Sequence, residues 1–369
     1  MPKITARSAM RSVAVCCTAL LLGACAHIGP DRLRADQVDY ERALGEAKKR
    51  EILTAIVQLR FADAPSFLTV SQVIAAYNID ASALATLNAG SGAQPNYALA
   101  TGQLSYSNHP TFTFTPTTGD AYASAYIRPL APSLVLPLAE GGIPIDLLLR
   151  IVAQSIGGLQ NGSALGGANS AGTPKFFQML QALRRLQLAG ELNVELRSDD
   201  KGSNKNGGGE QHVYLVIGAA QTTESSLVTP DLRFVRDTMH LSTKTNRYEI
   251  VYGQASPGGD QIAILTRSVL GILTNLGAQI EVPEASIRNG ATKPTVPLVG
   301  GETRPTIVVH SGDAPGDNAY VAIRYGRSVY WVDRSDFDSK YAFTVVQNLM
   351  ALAESDTNSK APIVTIPAN

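Results

Sequence analysis

Cysteine is scarce in this chain of 369 residues: it occurs only at Cys16, Cys17 and Cys25. The chain after Cys25 therefore cannot form a disulfide, a zinc site or an iron–sulfur site from cysteines. Charge is sparse and balanced, with 31 Lys plus Arg against 31 Asp plus Glu. Without a basic excess, the sequence lacks the electrostatic signature of nucleic-acid binding. It also lacks an uninterrupted apolar run of about 18 residues, the usual signal for a transmembrane helix.

Short catalytic and cofactor motifs are missing as well. The sequence contains no Gly-x-Ser-x-Gly elbow, no His-Glu-x-x-His and no glycine-rich phosphate loop. Ser198-Asp199-Asp200-Lys201 matches Ser-x-x-Lys only in letters, because that motif needs a helical turn and this segment begins a glycine-rich hairpin tip. The histidines are scattered along the chain at His27, His109, His212, His240 and His310. We therefore predict no catalytic, cofactor-binding or metal-binding residue.

The first 24 residues have the order of a secretory signal peptide: basic residues, an apolar run, then small residues. The basic residues are Lys3, Arg7 and Arg11, the apolar run is Val13–Leu22, and Gly23 and Ala24 directly precede Cys25. The apolar run is too short to cross about 30 Å of hydrocarbon as a helix. We predict cleavage between Ala24 and Cys25.

Leu22-Gly23-Ala24-Cys25 also resembles the lipobox of bacterial lipoproteins. The resemblance implies that Cys25 becomes the new N-terminus and carries at least two acyl chains, which anchor a protein stably. Ala26 rather than Asp follows the cysteine, and in lipoproteins this pattern implies sorting to the outer membrane. We expect a chain that is lipid-anchored at the outer membrane on the periplasmic side. The alternative is an ordinary secretory peptide with a chance cysteine at its cleavage point.

Helical and strand patterns alternate irregularly along the rest of the chain, without a βαβα rhythm. This predicts an α+β fold of mixed, mainly antiparallel strands with several packed helices. Length favours two subdomains behind the tether. The predicted division is a lipidated tether over residues 25–38, an N-terminal α+β domain over 39–156, a flexible glycine-rich linker over 157–172 and a C-terminal α+β domain over 173–369.

Some local predictions follow from apolar periodicity. Asp39–Phe61 and Ile145–Ile156 are predicted helices, because apolar residues recur on one helical face of each. Gly102–Tyr106 and Thr111–Thr115 are predicted strands. The small-residue stretch Ala81–Ala100 shows little periodicity, and the pattern leaves it without an assignment.

Two further strand assignments concern the C-terminal half. Tyr248–Tyr252 and Gln261–Leu265 are predicted to pair around a turn at Pro257-Gly258-Gly259. Ala278–Val282 is predicted to be another strand.

A cluster of carboxylates at Asp333, Asp336 and Asp338 lies between a predicted strand and the last predicted helix. Three carboxylates this close suit Ca²⁺, although their spacing is not that of an EF-hand loop. Asp336 or Asp338 is equally suited to cap the helix, whose first amide groups and dipole favour an acidic side chain. Both interpretations follow from the pattern.

Several segments resemble a family of uncharacterised proteobacterial lipoproteins. The similar segments are Tyr40, Ile56–Leu68, His109–Pro116, Thr266–Ser268 and Asp333–Lys340. The likeness spans most of the chain after the signal peptide, and it implies the anchor and the compartment but no catalytic residue. Without this resemblance, we interpret Arg60, Asp63 and Arg267 as structural residues in helix-end salt bridges and caps.

Three functional hypotheses remain open. The first is a non-enzymatic envelope protein that binds or assembles with other envelope proteins, for which exposed strand edges provide one mode of contact. The second is a periplasmic hydrolase of cell-wall or lipid substrates whose catalytic groups meet only in the fold. The third is a small-molecule or polysaccharide binder with Tyr97, Tyr106, Tyr122 and Tyr126 as stacking surfaces, although tyrosines in strands often serve packing.

Overall fold

The computed structural model describes residues 37–74, 77–88, 97–108, 111–162, 172–198, 211–218, 225–254, 258–295, 304–315 and 318–358. Helices and mainly antiparallel sheets are mixed along the chain, which confirms the predicted α+β class. The contacts divide the chain into two compact units. One, the main unit, comprises Met1–Pro65 and Ala125–Asn369, and the other, the β unit, is Ser66–Ser124.

The described chain starts in a helix, α1, that extends over residues 37–60. Ile52, Leu53, Ile56 and Val57 are fully buried on it. Their spacing of one, three and four residues places them on one face of an α-helix, and burial of that face stabilises it. The prediction of a helix over Asp39–Phe61 is therefore confirmed.

The remaining helices and strands follow in chain order. The strands are β1 (Leu68–Ile74), β2 (Tyr77–Asn88), β3 (Tyr97–Asn108), β4 (Thr111–Pro116), β5 (Ala153–Ile156), β6 (Leu159–Gln160), β7 (Leu192–Ser198), β8 (Gln211–Ile217), β9 (Arg247–Tyr252), β10 (Gln261–Thr266), β11 (His310–Gly312), β12 (Ala319–Tyr325) and β13 (Ser328–Asp333). The helices are α2 (Gly119–Tyr122), α3 (Pro132–Val135), α4 (Ile145–Val152), α5 (Pro174–Leu188), α6 (Ser225–Met239), α7 (Val269–Gly277), α8 (Glu284–Arg288) and α9 (Phe337–Asn358), with a π-helical turn at Ala123–Ile127 and a 3₁₀ turn at Leu136–Ala139. Among the described residues, no helix is long and apolar enough to cross a membrane.

A six-stranded sheet with the order β6-β5-β10-β9-β8-β7 forms the centre of the main unit. Its neighbours are antiparallel except β9 and β10, which pair in parallel, with Ile250 opposite Ile262. The predicted pairing of these two strands is confirmed. Gly258 and Gly259 both have positive φ and the chain bends there, but the parallel pairing means that this bend does not join the strands as a hairpin. Pro257 of the predicted turn lies outside the described residues. Helix α5 contacts α4, α6 and strand β7.

The predicted helix Ile145–Ile156 is too long by four residues. The helix ends at Val152, and Ala153–Ile156 forms strand β5 between β6 and β10. Ala153 and Ile156 are fully buried in this strand. Tertiary pairing with β10 thus outweighs the local helical pattern, which continues past the observed end.

A three-stranded antiparallel sheet, β11-β13-β12, packs near the C-terminal end of the described chain. Gly326, with a φ of +57°, forms the tight turn between β12 and β13. Helix α9 contacts β13, α4 and α7, and Phe343 and Val346 are buried on it. Ala278–Val282 is not a strand, and that prediction is wrong.

The β unit contains two antiparallel pairs of strands, β1 with β4 and β2 with β3. β2 and β3 pair over their full length of 12 residues each, from Tyr77 opposite Asn108 to Asn88 opposite Tyr97. The prediction at Thr111–Thr115 is confirmed, and Gly102–Tyr106 is a part of the much longer β3.

The observed units differ from the division predicted at residues 157–172. Strands from both sides of that segment, β5 before it and β7 to β10 after it, belong to the same sheet. The boundaries between the observed units instead lie near Pro65 and Ser124. Residues 163–171 of the predicted linker lie outside the described residues.

Candidate functional site

The β2–β3 hairpin has two chemically different faces. Successive residues of a strand lie on opposite faces of a sheet, and directly paired residues share one. On one face every residue except Gly102 and Asn108 is apolar; this apolar face comprises Tyr77, Ile79, Ala81, Ala83, Ala85 and Leu87 of β2 and Ala98, Ala100, Gly102, Leu104, Tyr106 and Asn108 of β3. The alternation indicates an amphipathic sheet.

The opposite face is polar apart from Leu84, Tyr97 and Leu99. This polar face comprises Asn78, Asp80, Ser82, Leu84, Thr86 and Asn88 of β2 and Tyr97, Leu99, Thr101, Gln103, Ser105 and Ser107 of β3. Leu84 and Leu99 are 69% and 60% exposed. Asp80 is the only charged residue of the two strands, and it is exposed on this face.

Exposed apolar side chains continue along β1 and β4. Val70 lies opposite Phe114, and Leu68 lies opposite Pro116. All four residues are exposed, Phe114 by 52%. Several exposed large apolar residues on one small sheet are typical of a protein-interaction or ligand-binding surface. The β unit is therefore the strongest candidate for an interaction site.

The four tyrosines that the sequence offers as a stacking surface have different roles in the structure. Tyr126 is fully buried and donates a hydrogen bond to Glu354 Oε1 at 2.7 Å. Tyr122 lies in α2, with its ring centroid 6.3 Å from that of Phe67. Tyr97 and Tyr106 belong to β3, where the register places them on opposite faces. A shared ligand-stacking platform that includes Tyr126 is therefore wrong.

A second candidate is a cavity of about 350 Å³ in the main unit, next to Arg267. Its lining residues with polar side chains are Gln154, Tyr252, Thr266, Arg267, Ser268, Thr274 and Asn275, and this lining contains no Asp, Glu, His, Cys or Lys. Several of these polar groups already have partners in the fold. Thr266 donates to the Leu130 carbonyl at 2.6 Å, and Thr274 donates to the Leu270 carbonyl at 2.7 Å.

Arg267 itself stabilises helix ends, as the sequence predicts. Its guanidinium is buried at the C-terminus of α4, where it donates to main-chain carbonyl oxygens: those of Arg150 (3.3 Å), Ile151 (3.2 Å), Ala153 (2.8 Å) and Gly162 (2.6 Å). A cation at this position satisfies unpaired carbonyls and complements the helix dipole. Burial lowers the pKa of Arg267 to about 10, so the side chain is charged at neutral pH.

Ser268, the next residue, caps the following helix. Its hydroxyl accepts a hydrogen bond from the Gly271 amide at 3.1 Å, which satisfies one of the free amides at the start of α7. Arg267 and Ser268 therefore cap the end of one helix and the beginning of another. The cavity is therefore bounded by a structural junction, and the hydroxyl of Ser268 in its lining already serves as a helix cap.

Arg60 and Asp63 also have structural contacts. At the end of α1, Arg60 donates to the carbonyl oxygens of Ala278 (3.2 Å) and Lys293 (2.8 Å). Asp63 accepts a hydrogen bond from the Tyr325 hydroxyl. Burial and this hydrogen bond raise the pKa of Tyr325 to about 12. The predicted structural role of both residues is confirmed.

The three carboxylates near the last helix separate into different interactions. Asp336 caps α9, because its Oδ1 accepts from the Ser339 amide at 3.1 Å. Arg304 contacts Asp336 at 2.6 Å and Asp338 at 3.2 Å. Asp333 instead accepts from the Trp331 indole at 3.1 Å. The capping interpretation is confirmed, and among the described residues no group of three or more His, Cys, Asp or Glu is arranged to hold a metal ion.

We expect Asp336→Asn to weaken the fold and to remove part of its acid sensitivity. Burial alone would raise the pKa of Asp336, but hydrogen bonds from Arg304 and Ser339 outweigh it and lower that pKa to about 2. The unfolded chain therefore takes up this proton first, and its contribution to stability is lost as the pH falls from about 4 to about 2. At pH 7 we expect the variant to lose about 1–2 kcal/mol, since Asn preserves the cap but not the charge.

Thermal unfolding followed by circular dichroism between pH 7 and pH 2 measures this effect. Asp338→Asn is the matched control, because the Asp338 side chain is 74% exposed and its pairing with Arg304 is therefore weak. Equal losses in the two variants, or an unchanged pH profile for Asp336→Asn, would contradict the assignment.

Two of the scattered histidines lie beside carboxylates. His212 Nδ1 is 2.8 Å from Glu249, and His310 contacts Glu281 at 3.3 Å and Asp333 at 3.4 Å. The ring of His310 also lies 5.6 Å from that of Trp331. These pairs belong to sheet surfaces and not to the cavity beside Arg267.

The predicted sites Ala24 and Cys25 lie outside the described residues. So do His27, His109 and residues 199–201 of the Ser-x-x-Lys match, for which no role is predicted. Lipid attachment at Cys25 and signal cleavage after Ala24 therefore stay predictions.

The alternation of apolar and polar residues along β2 and β3 is a weak sequence signal for these strands. Alanine, serine and threonine dominate the stretch, so the contrast between the two faces is low, and Leu84 interrupts the pattern. Only the register between the strands makes the apolar face evident. In comparisons with known proteins, no family model, curated protein or solved structure matches this chain.

Proposed function

We propose that this protein is a non-enzymatic, lipid-anchored component of the cell envelope that acts by binding or assembly through its β unit. Acyl chains on Cys25 hold it at the outer membrane, and its body faces the periplasm. Its partners are envelope proteins and the membrane, not nucleic acid.

The observation that carries this proposal is the β2–β3 hairpin. Its two strands form a sheet of their own, so that within the described residues each has one edge without a neighbouring strand. Such edges are templates for pairing with another chain. The anchor part of the proposal rests on the basic, apolar and small-residue order before Cys25.

The alternative is a periplasmic hydrolase of cell-wall or lipid substrates. Hydrolysis needs a nucleophile or activated water together with an acid or base in one pocket. The cavity beside Arg267 has no carboxylate or histidine in its lining. Its geometry therefore does not favour the alternative.

Replacement of Cys25 tests the anchor. We expect Cys25→Ala to abolish acylation and to release the protein from the membrane fraction, because no thiol remains at the cleavage point. Acylation is measured by incorporation of labelled palmitate and location by membrane fractionation. Cys17→Ala is the control, since that cysteine leaves with the signal peptide and its loss should change neither readout.

A Cys25→Ala protein that still fractionates with the outer membrane would contradict the anchor. The binding role is tested by cross-linking the wild-type protein in intact cells and identifying its partners by mass spectrometry. We expect a reproducible stoichiometric complex with an envelope protein. Further copies of this chain count as such a partner. Cross-links only to wall fragments would favour the hydrolase instead.

A further inference from the structure

The cavity beside Arg267 has the size of a site for a small molecule. Its volume of about 350 Å³ is near the lower end of the roughly 300–1,000 Å³ that is usual for ligand pockets. All of its lining residues belong to the main unit. They come from strands β5, β9 and β10 of the six-stranded sheet, from the first two turns of α7 and from the segment that includes Ile127 and Pro129.

Arg267 lies between the end of α4 and this cavity. Its Nη1 and Nη2 atoms donate to four main-chain carbonyl oxygens, those of Arg150, Ile151, Ala153 and Gly162, and none of these residues lines the cavity. The guanidinium has a further donor, the Nε–H, which has no acceptor among the described residues. Nε is not one of their buried atoms that lack a partner either. This N–H therefore has access to open space, and the cavity is the open space that Arg267 lines.

The potential in the cavity is positive. The side chain of Arg267 is charged and 7% exposed, its four acceptors are neutral carbonyl groups, and the described lining contains no Asp or Glu. The first turn of α7 contributes Ser268, Leu270 and Gly271 to the lining, and this is the positive end of the helix dipole. A buried positive charge without a carboxylate beside it favours an anion as the occupant.

The rest of the lining suits an apolar molecular body. Pro129, Leu265 and Leu270 contribute aliphatic surface. Ile127 and Tyr252 line the same cavity and are 54% and 58% exposed. A ligand that covers these side chains removes apolar surface from water, which is favourable.

From these observations we infer that the cavity beside Arg267 binds a small carboxylate with an apolar body, of which a medium-chain fatty acid is an example. The carboxylate accepts hydrogen bonds from the Nε–H of Arg267 and from the hydroxyl of Ser268. That hydroxyl accepts from the Gly271 amide, so its own hydrogen remains available to donate. The apolar body lies against Leu265 and Leu270. The inference goes beyond the proposed function, since it concerns the main unit and not the β unit.

Calorimetric titration with octanoate and with octanamide tests the inference. The purified Cys25→Ala protein is used, because an acylated chain needs detergent, and detergent would compete for an apolar cavity. The two ligands have the same chain length, but only octanoate is charged. We expect one octanoate to bind per chain and octanamide to bind at least about tenfold more weakly, since hydrogen bonds to a charged acceptor are the stronger ones.

Gln154→Glu tests the role of charge at constant side-chain size. Gln154 lines the cavity and is exposed, so the fold tolerates a carboxylate at this position. We expect this variant to bind octanoate at least about tenfold more weakly and octanamide as before, because like charges repel. Gln178→Glu is the matched control, since Gln178 is exposed on α5 and does not line the cavity.

Gly271→Leu tests the location of the ligand. A Cβ atom added at Gly271 would lie 3.4 Å from Ser268 Oγ and 3.5 Å from Arg267 Cβ, which are ordinary contact distances, so α7 accepts a side chain there. Leucine at this position occupies the space beside the guanidinium, and we expect octanoate binding to be lost while circular dichroism shows an intact fold. Gly45→Leu is the control, because Gly45 lies in α1 and outside the lining.

Equal binding of octanoate and octanamide, or no binding of octanoate at millimolar concentration, would overturn the inference. So would octanoate binding that neither Gly271→Leu nor Gln154→Glu reduces, because the ligand would then lie elsewhere. None of these results bears on the β unit. Cross-linking in cells decides the proposed function separately, so that failure of one can be told from failure of the other.

Discussion

Replacing Arg267 with leucine is expected to destabilise the main unit by about 3 kcal/mol or more. Leucine removes a buried cation and leaves the carbonyl oxygens at the end of α4 without their donor. Each hydrogen bond from a charged group contributes about 1.5–3 kcal/mol, and buried acceptors left unsatisfied add a desolvation penalty. Loss of helix-dipole compensation acts in the same direction.

Arg267→Lys and Arg288→Leu make this prediction specific. Lysine preserves the charge, but its single ammonium lacks the planar fork of donors that reaches several carbonyls at once, so we expect an intermediate loss. Arg288 is a surface residue with a 72% exposed side chain, and its replacement should change stability by less than about 0.5 kcal/mol.

Thermal unfolding gives the overall loss, and hydrogen exchange locates it. The amides of the last turn of α4 and of β5 should exchange faster in Arg267→Leu, because this junction depends on the guanidinium. If Arg267→Leu matches Arg288→Leu in both measurements, Arg267 does not hold the junction.

Arg267 also explains why the sequence predicts helix α4 but not the residue at which the helix ends. The pattern of Leu148, Ile151 and Val152 predicts α4 correctly, since a helical face needs only local spacing. The end of the helix is set by Arg267, more than a hundred positions away, and by pairing of β5 with β10. Local periodicity contains no information on either contact.

The direction of strand pairing is the second feature that the sequence did not predict. β9 and β10 were recognisable as strands, but Pro257-Gly258-Gly259 favoured a hairpin and the structure pairs them in parallel. A turn signal predicts where the chain bends, not which edge of a sheet it then joins. Between the two strands, the Gly259 amide donates to the His240 carbonyl at 2.9 Å, a contact with a separate segment that the turn residues do not encode.

Capping was predictable where one helix end and its cap are neighbours in sequence. Asp336 is adjacent to the first residue of α9 and three positions before Ser339, the spacing that an N-terminal cap requires. The contribution of Arg304 was not predictable, because it approaches from a separate segment. The same holds for the candidate site. The sequence shows which residues alternate within each of β2 and β3, but which residues share a face across the two strands depends on the register between them.

The crossing of α1 and α7 gives the second large effect. A Cβ atom added at Gly277, the last residue of α7, would lie 2.8 Å from the Ile56 carbonyl oxygen and 3.5 Å from the Arg60 amide nitrogen. Both neighbours are backbone, so the helices must separate to accept a side chain. We expect Gly277→Ala to destabilise the fold by about 1–3 kcal/mol, and larger residues to do so more strongly.

Gly45→Ala, in α1 itself, is expected to have the opposite sign. Apart from its chain neighbours and the backbone of its own helix, no atom lies within 4 Å of a Cβ added there, and Gly45 is inside the helix. Alanine favours the helix over glycine by about 0.5–1 kcal/mol, so this variant should raise the unfolding temperature while Gly277→Ala lowers it. Helix propensity alone favours alanine at both positions. Two increases in unfolding temperature would therefore contradict a close crossing, whereas opposite shifts would establish that Gly277 is required by contact with α1.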